Sequence, residues 1–273
     1  MKKSILALPK EFKMIKTDQF KLLLSSSLIF CAIFFMCLNL IPSQLRAIDK
    51  FEGFLAGEKP LEKNDCLERI SQLDRDNKSY LEDVTILVNN CMVHYWNTEA
   101  TRSQKDLNLW IPPVENYILN LSAYFIPKLR SVELYDVEKI IERGVGLCSQ
   151  FAILLDEILE ENGYQSSLVG LDGHVVVQAH NLLGERVVLD PDYGVYIPKS
   201  MNFIENNTSI IKDFYPNNSE LLTQIYRSPN YIGDNDYHPN HKILRTIVVF
   251  SYHLIWIFPA ILMLLALWIR WKK

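Results

Sequence analysis

Three residues of the chain have the types and the spacing that thiol catalysis requires, namely Cys148, His174 and Asp190. Cys148 ends the glycine-containing segment RGVGLC and opens a segment with the apolar periodicity of a helix. Unsatisfied N–H groups and the helix dipole favour a thiolate at such a position. Gly146 leaves room for another group to approach closely. The local pattern therefore favours a nucleophilic thiol at Cys148.

His174 begins a predicted strand and Asp190 ends the next one, so a hairpin can bring them together. The carboxylate would orient the imidazole, which would deprotonate the thiol. Backbone N–H groups at the helix start could stabilise an oxyanion. Taken singly, these residues have plainer explanations, because a lone cysteine is often a small buried side chain and Asp-Pro often opens a turn. It is their order and spacing that favour catalysis.

The segments that carry these residues resemble the transglutaminase-like superfamily. They read RGVGLCSQFAILLDEILEENGY, LVGLDGHVVVQAH and ERVVLDPDYGV, and the resemblance covers about residues 136–197. In that family a cysteine opens a core helix, a histidine begins one strand and an aspartate lies on its neighbour. The resemblance implies a papain-like triad of Cys148, His174 and Asp190 that needs no cofactor. It also implies a thiol that attacks a carbonyl, usually of an amide, and passes the acyl group to water or to an amine.

The chain departs from the family pattern in two places. Many relatives have an aromatic residue shortly after the histidine, whereas valines occupy 175–177 here. The side chain that assists the oxyanion in the family lies upstream of the cysteine, and Trp110, Tyr117 and Tyr124 are all candidates. Nothing resembles the calcium sites of the large animal enzymes, so calcium activation is not indicated.

Other polar residues near the motifs have structural interpretations. In an extended strand His180 lies about 20 Å from His174, too far for the two to share a metal. Asp192 is predicted to form a turn rather than to act as a second orienting carboxylate. Arg143 is predicted to cap the preceding helix or to pair with Glu142. No cysteine and histidine cluster has zinc spacing, so no metal is predicted.

The surrounding elements predict an α+β domain, with helices packed on an antiparallel sheet. An S-x-x-E capping box, Ser79 and Glu82, is expected to open one helix. Helices are predicted over 61–75, from 79 to about 96, after Pro112–Pro113, over 136–143 and over 149–162, and strands over 166–171, 174–180 and 185–190. Residues 199–241 are predicted to be a loose connection, apart from a possible helix near 219–227.

Two apolar segments, 22–42 and 246–269, predict transmembrane helices that flank this domain. At about 1.5 Å per residue each is long enough to cross a bilayer core. A cleaved signal peptide is the alternative for the first segment. A cut after Ala47 would place Leu45 where a small residue is needed, so an uncleaved anchor is favoured.

The charges that flank the spans predict the topology. Six lysines precede the first span, and Arg270, Lys272 and Lys273 follow the second. The tails 1–21 and 270–273 are therefore predicted to be cytoplasmic, and the domain at 47–242 extracytoplasmic. The plan is typical of a bacterial inner membrane protein.

The predicted outer domain carries 30 acidic and 17 basic residues. Such a surface repels nucleic acid, so the expected partners are the bilayer and a peptide or protein substrate of the cell envelope. An oxidising compartment would permit a Cys66–Cys91 disulfide and leave Cys148 as the odd thiol, although sequence does not fix the pairing.

These patterns favour an extracytoplasmic cysteine enzyme, either a peptidase or amidase or a transamidase. The alternative is a catalytically silent transglutaminase-like scaffold or binding module in an envelope assembly or export complex. A complete triad argues against the scaffold, which has no physical need for all three residues.

Overall fold

A computed structural model describes residues 17–41, 60–94, 111–127, 129, 132–227, 233–234 and 241–272. Trp110 lies outside this range. The helices are α1 (Thr17–Leu38), α2 (Lys63–Gln72), α3 (Tyr80–Cys91), α4 (Pro113–Phe125), α5 (Val137–Arg143), α6 (Cys148–Glu161), α7 (Met201–Asn206), α8 (Ile211–Phe214), α9 (Ser219–Tyr226) and α10 (His241–Trp271). The strands are β1 (Val93–His94), β2 (Val145–Gly146), β3 (Ser166–Leu171), β4 (His174–His180), β5 (Arg186–Asp190), β6 (Val195–Ile197) and β7 (Gly233–Asp234).

The chain divides into two compact units, one of Met1–Ile41 with His253–Lys273 and one of Pro42–Tyr252. The smaller unit contains α1 and the second part of α10. Both helices are long and apolar enough to cross a membrane, each with a mean hydropathy of 2.2.

Within the smaller unit the two helices lie side by side and antiparallel. The Asn39 side chain, just after α1, donates to the Ile255 carbonyl at 2.7 Å. Near the opposite end, Arg270 Nε donates to the Ser25 hydroxyl at 3.1 Å. The start of α1 is therefore beside the end of α10.

The larger unit is built on an antiparallel sheet in the order β6-β5-β4-β3-β7, of which β7 is a two-residue edge strand. Leu171 pairs with His174 across the first hairpin, and Val177 pairs with Leu189 across the second. The mixture of helices with an antiparallel sheet confirms the predicted α+β class. The three predicted strands lie within one residue of their expected bounds.

The sheet is covered on both faces, and β4 shows why three valines occur in a row. Val175 and Val177 belong to the core that α6 covers, whereas Val176 faces a second core on the opposite side. The second core is closed by α7, α8 and α9, through Ile204, Ile211 and Leu222 among others. The prediction of a loose connection was therefore wrong for 201–214, because this segment forms α7 and α8 and buries its apolar side chains against the sheet. The possible helix predicted near 219–227 is present as α9.

Two predictions about the ends of α3 were wrong. The helix expected to run to about 96 ends at Cys91, because Val93 and His94 pair with β2 instead. The Ser79 side chain makes no capping hydrogen bond to the backbone of α3, and its hydroxyl donates to the Asp83 carboxylate at 2.7 Å. The capping box was therefore wrong, because Ser79 has helical backbone angles and a carboxylate one turn ahead attracts its hydroxyl. The Asp136 side chain does cap α5, which ends at Gly144 in the left-handed conformation (φ 67°) that glycine tolerates.

A disulfide joins Cys66 on α2 to Cys91 at the end of α3, with 5.8 Å between their Cα atoms. Both residues are buried in the main core. Cys148 is a free thiol, as predicted if the other two outer cysteines pair.

Candidate active site

Cys148 is the first residue of α6 and is half-buried. The segment that leads to it is held by a short parallel pair of strands, in which Val93 pairs with Val145 and His94 with Gly146. A Cβ atom on Gly146 would lie 2.6 Å from the Cβ of Gln150. The close approach that requires glycine is therefore to a side chain of α6.

Gln150 fixes the first turn of α6 against the segment before α5. Its Nε2 donates to the Leu134 carbonyl, and its Oε1 accepts from the Leu134 N–H, both at 2.9 Å. The buried guanidinium of Arg143 donates to the Val132 carbonyl at 3.3 Å. It also donates to Gln150 Oε1 at 3.5 Å, so Arg143 contacts the first turn of α6, which sequence reasoning did not foresee.

His174 and Asp190 lie on adjacent strands and form a buried pair. Nε2 of His174 lies 2.9 Å from Oδ2 of Asp190. The two side chains are 4% and 0% exposed. The structure therefore brings together the two residues that the predicted hairpin was expected to join.

The pKa of His174 is raised well above its ordinary value by a balance of opposing effects. Burial acts most strongly and lowers the pKa, but the charge and hydrogen bond of Asp190 raise it, as do the hydrogen bond and charge of Cys148. The imidazole therefore interacts with both the carboxylate and the thiol. These two interactions favour the protonated form of the imidazole.

Two buried tyrosines complete the surroundings of Asp190. Tyr215 donates its hydroxyl to Asp190 Oδ2 at 2.7 Å, and the hydroxyls of Tyr215 and Tyr226 lie 3.0 Å apart. Burial, followed by the charge of Asp190, raises the pKa of both tyrosines well above the ordinary value, so they remain neutral. Sequence reasoning missed both because they follow the motif region. Tyr215 lies in the segment predicted as a loose connection, and Tyr226 lies in the possible helix near 219–227.

The edge of the Tyr193 ring faces His174, with 5.7 Å between the ring centroids. Tyr193 also lies edge-on to Tyr215 at 5.5 Å. Aromatic side chains therefore shield the His174–Asp190 pair, although valines rather than an aromatic residue directly follow His174 in the sequence. Tyr193 belongs to the LDPDYG segment at 189–194, so the aromatic residue was present in the motif region of the sequence.

Asp192 does more than form the predicted turn. Its Oδ1 makes a short hydrogen bond with Nδ1 of His94, and both side chains are largely buried. The interpretation of Asp192 as only a turn former was therefore incomplete. His94 is a further candidate that sequence reasoning missed, because its partner lies 98 residues away.

The helix start offers donors for an oxyanion. The N–H groups of Gln150 and Phe151 both bind the Leu147 carbonyl. The preceding N–H groups, of Cys148 and Ser149, are the ones that an oxyanion could accept from. Tyr117 and Tyr124 lie on α4, where Tyr124 is 61% exposed. The choice of an assisting side chain stays open.

In the part of the chain that the structure describes, no group of three His, Cys, Asp or Glu side chains could hold a metal ion. His180 lies at the far end of β4 from His174, opposite Arg186. Comparisons with protein-family models, with curated proteins and with solved structures found no match to this chain.

Proposed function

We propose that the chain is a membrane-anchored, extracytoplasmic cysteine enzyme of the transglutaminase-like type that acts on amide bonds through an acyl-thioenzyme. The observation that carries this proposal is the position of His174, which is hydrogen-bonded to Asp190 and interacts with the Cys148 thiol. Burial of the pair and its hydroxyl donors favours a preorganised site.

Each proton in the proposed reaction can be assigned. The Cys148 thiolate forms a bond to the amide carbonyl carbon while the His174 imidazolium gives its proton to the departing amine. Water or a second amine then attacks the acyl carbon. His174 takes the proton of that nucleophile as the carbon–sulfur bond breaks, so the thiolate and the imidazolium are both restored. Asp190 keeps the imidazole oriented throughout.

The membrane topology in this proposal has two spans, both termini in the cytoplasm and the catalytic domain outside a bacterial inner membrane. The antiparallel contact of α1 with α10 supports it, because the start of α1 and the end of α10 then lie on one side. The basic residues that flank the two spans support a cytoplasmic location for that side, because cytoplasmic flanks carry an excess of lysine and arginine. The Cys66–Cys91 disulfide suits an oxidising compartment. Peptides or proteins of the cell envelope are the proposed substrates.

Thiol reactivity tests the proposal directly. The full chain, with Cys31 and Cys37 replaced by alanine, would be treated in detergent micelles with iodoacetamide across a range of pH. We expect alkylation at Cys148 with an apparent pKa well below about 8.5. The His174→Ala variant should return this pKa to the value of an ordinary thiol.

His180→Ala is the matched control, since it removes the histidine at the opposite end of the same strand. It should leave the apparent pKa of Cys148 unchanged. The proposal of a cysteine enzyme would be refuted if Cys148 is unreactive, or if its apparent pKa is that of an ordinary thiol while His174 is intact. That result would favour the silent scaffold instead.

A further inference from the structure

The His94–Asp192 pair is buried to a degree that a turn does not require. The side chains of His94 and Asp192 are 12% and 2% exposed. Oδ2 of Asp192 is buried and has no hydrogen-bond partner among the described residues. Burial of a carboxylate is costly unless it is paired, whereas turn-forming aspartates are ordinarily exposed. The pair therefore requires an explanation other than the turn.

One turn supplies a carboxylate to each of two histidines. Asp190, at the end of β5, binds His174, and Asp192, two residues later, binds His94. The turn is held from the other side by Asn89 of α3, whose Nδ2 donates to the carbonyls of Pro191 at 3.1 Å and Asp192 at 2.6 Å. Its position relative to α3 is thus fixed through backbone and side chain together.

His94 in turn adjoins the segment that carries the nucleophile. It pairs with Gly146 in the β1–β2 ladder, where neighbouring strands lie about 4.8 Å apart. Cys148 follows Gly146 by two residues. The His94 ring also stacks on Phe151, with 6.1 Å between centroids, and Phe151 lies on the first turn of α6. His94 therefore touches the nucleophile segment both before and after Cys148.

We propose that His94 is a positioning residue for Cys148. The Asp192–His94 pair fixes β1, and through it β2 and the first turn of α6, to the turn that also orients His174. The distance between the Cys148 thiol and the His174 imidazole then depends on the hydrogen bond of Asp192 with His94 and on the pairing of β1 with β2, rather than on the packing of the whole domain. This inference rests on the proposed function, because it concerns the pairing of Cys148 with His174.

The experiment measures the pH dependence of Cys148 alkylation by iodoacetamide in the full chain lacking Cys31 and Cys37, well below the thermal midpoint of each variant. Asp192→Asn removes the carboxylate that His94 binds, and His94→Leu removes the imidazole. His94→Asn retains a donor, since its amide nitrogen takes the place of imidazole Nδ1. Asp172→Asn is the matched control, because it removes an equal charge from the exposed turn before His174.

We expect Asp192→Asn and His94→Leu to raise the apparent pKa of Cys148 by about one unit, which is a tenfold loss of thiolate at a given pH below it. His94→Asn should recover most of the wild-type rate, and Asp172→Asn should match wild type. A lower thermal midpoint with an unmoved pH profile in Asp192→Asn would overturn the inference, because the pair would then be structural only.

Two further outcomes are decisive. If His94→Leu or Asp192→Asn does not fold, Asn89→Ala replaces them, since it removes only the two hydrogen bonds that hold the turn. An unmoved profile in Asn89→Ala would then overturn the inference. If Cys148 titrates as an ordinary thiol in the protein with His94 and Asp192 intact, the proposed function fails and the inference falls with it.

Discussion

The hydroxyl of Tyr215 offers the sharpest test of how the site is stabilised. It donates to Asp190 Oδ2 at 2.7 Å, the same oxygen that His174 binds, and it lies 3.0 Å from the Tyr226 hydroxyl. The other oxygen of Asp190 has no hydrogen-bond partner among the described residues. Tyr215→Phe keeps the ring and removes one of the few donors to a fully buried carboxylate.

The expected magnitude follows from these contacts. A hydrogen bond to a charged group contributes about 1.5–3 kcal/mol, and the hydroxyl of Tyr226 would lose its partner as well. The free energy of unfolding should therefore fall by about 2–4 kcal/mol. For a domain of this size that corresponds to roughly 5–15 °C in the thermal midpoint.

Thermal unfolding of the full chain in detergent measures the effect. Tyr193→Phe is the matched control, because its ring also packs against Tyr215, whereas among the described residues the hydrogen bonds to Asp190 come from His174 and Tyr215. It should change the stability by less than about 0.5 kcal/mol. Equal midpoints for Tyr215→Phe and Tyr193→Phe would refute the view that the tyrosine hydroxyl stabilises Asp190.

Three further predictions concern pH and packing. Because the pKa of His174 is raised in the folded protein, its stabilisation is complete below 6.5 and is lost as the pH rises through the folded value. The thermal midpoint of wild type should therefore exceed that of His174→Gln at acidic and neutral pH, and the difference should shrink at alkaline pH. A difference that stays constant with pH would contradict this. Burial raises the pKa of Asp156 from 3.8 to about 6, so its ionised form opposes folding at neutral pH. Asp156→Asn, which can still accept from Ser166, should add about 1–3 kcal/mol at pH 7 in urea unfolding, and the gain should vanish below about pH 4. Gly146→Ala should cost about 1–3 kcal/mol in the same assay, since its Cβ would lie 2.6 Å from the Cβ of Gln150.

The parts of the fold that sequence predicted are those with a strong local pattern. The helix that Cys148 opens has a broad apolar face over fourteen residues, and the strands of the central hairpins are bounded by glycine turns. The spacing of apolar residues and the positions of turn-forming glycines are enough to predict such elements. The same elements carry Cys148, His174 and Asp190, so the helix start at Cys148 and the contact of His174 with Asp190 were the most predictable parts of the site.

The parts that sequence missed depend on contacts between distant segments. Tyr215 contacts Asp190 from 25 residues away, and it follows a helix of only four residues, too few for a periodic signal. The two-residue strand that holds His94 is shorter still. The predicted capping box of Ser79 and Glu82 also failed, because the Ser79 hydroxyl donates to the Asp83 carboxylate instead of capping the backbone. Local patterns predict elements, whereas the buried polar contacts arise from packing.

The Cys66–Cys91 disulfide bears on how the chain matures. In the proposed topology the outer domain leaves the cytoplasm from its N-terminal end, so both cysteines of the bond reach the oxidising compartment before Cys148 does. Cys148 follows Cys91 by 57 residues, which take roughly 3–11 s to synthesise at 5–20 residues per second, and a disulfide begins to form within seconds. Cys148 then emerges after its two potential partners have had seconds in which to pair with each other. The order of the cysteines along the chain thereby reduces mispairing of Cys148 during export.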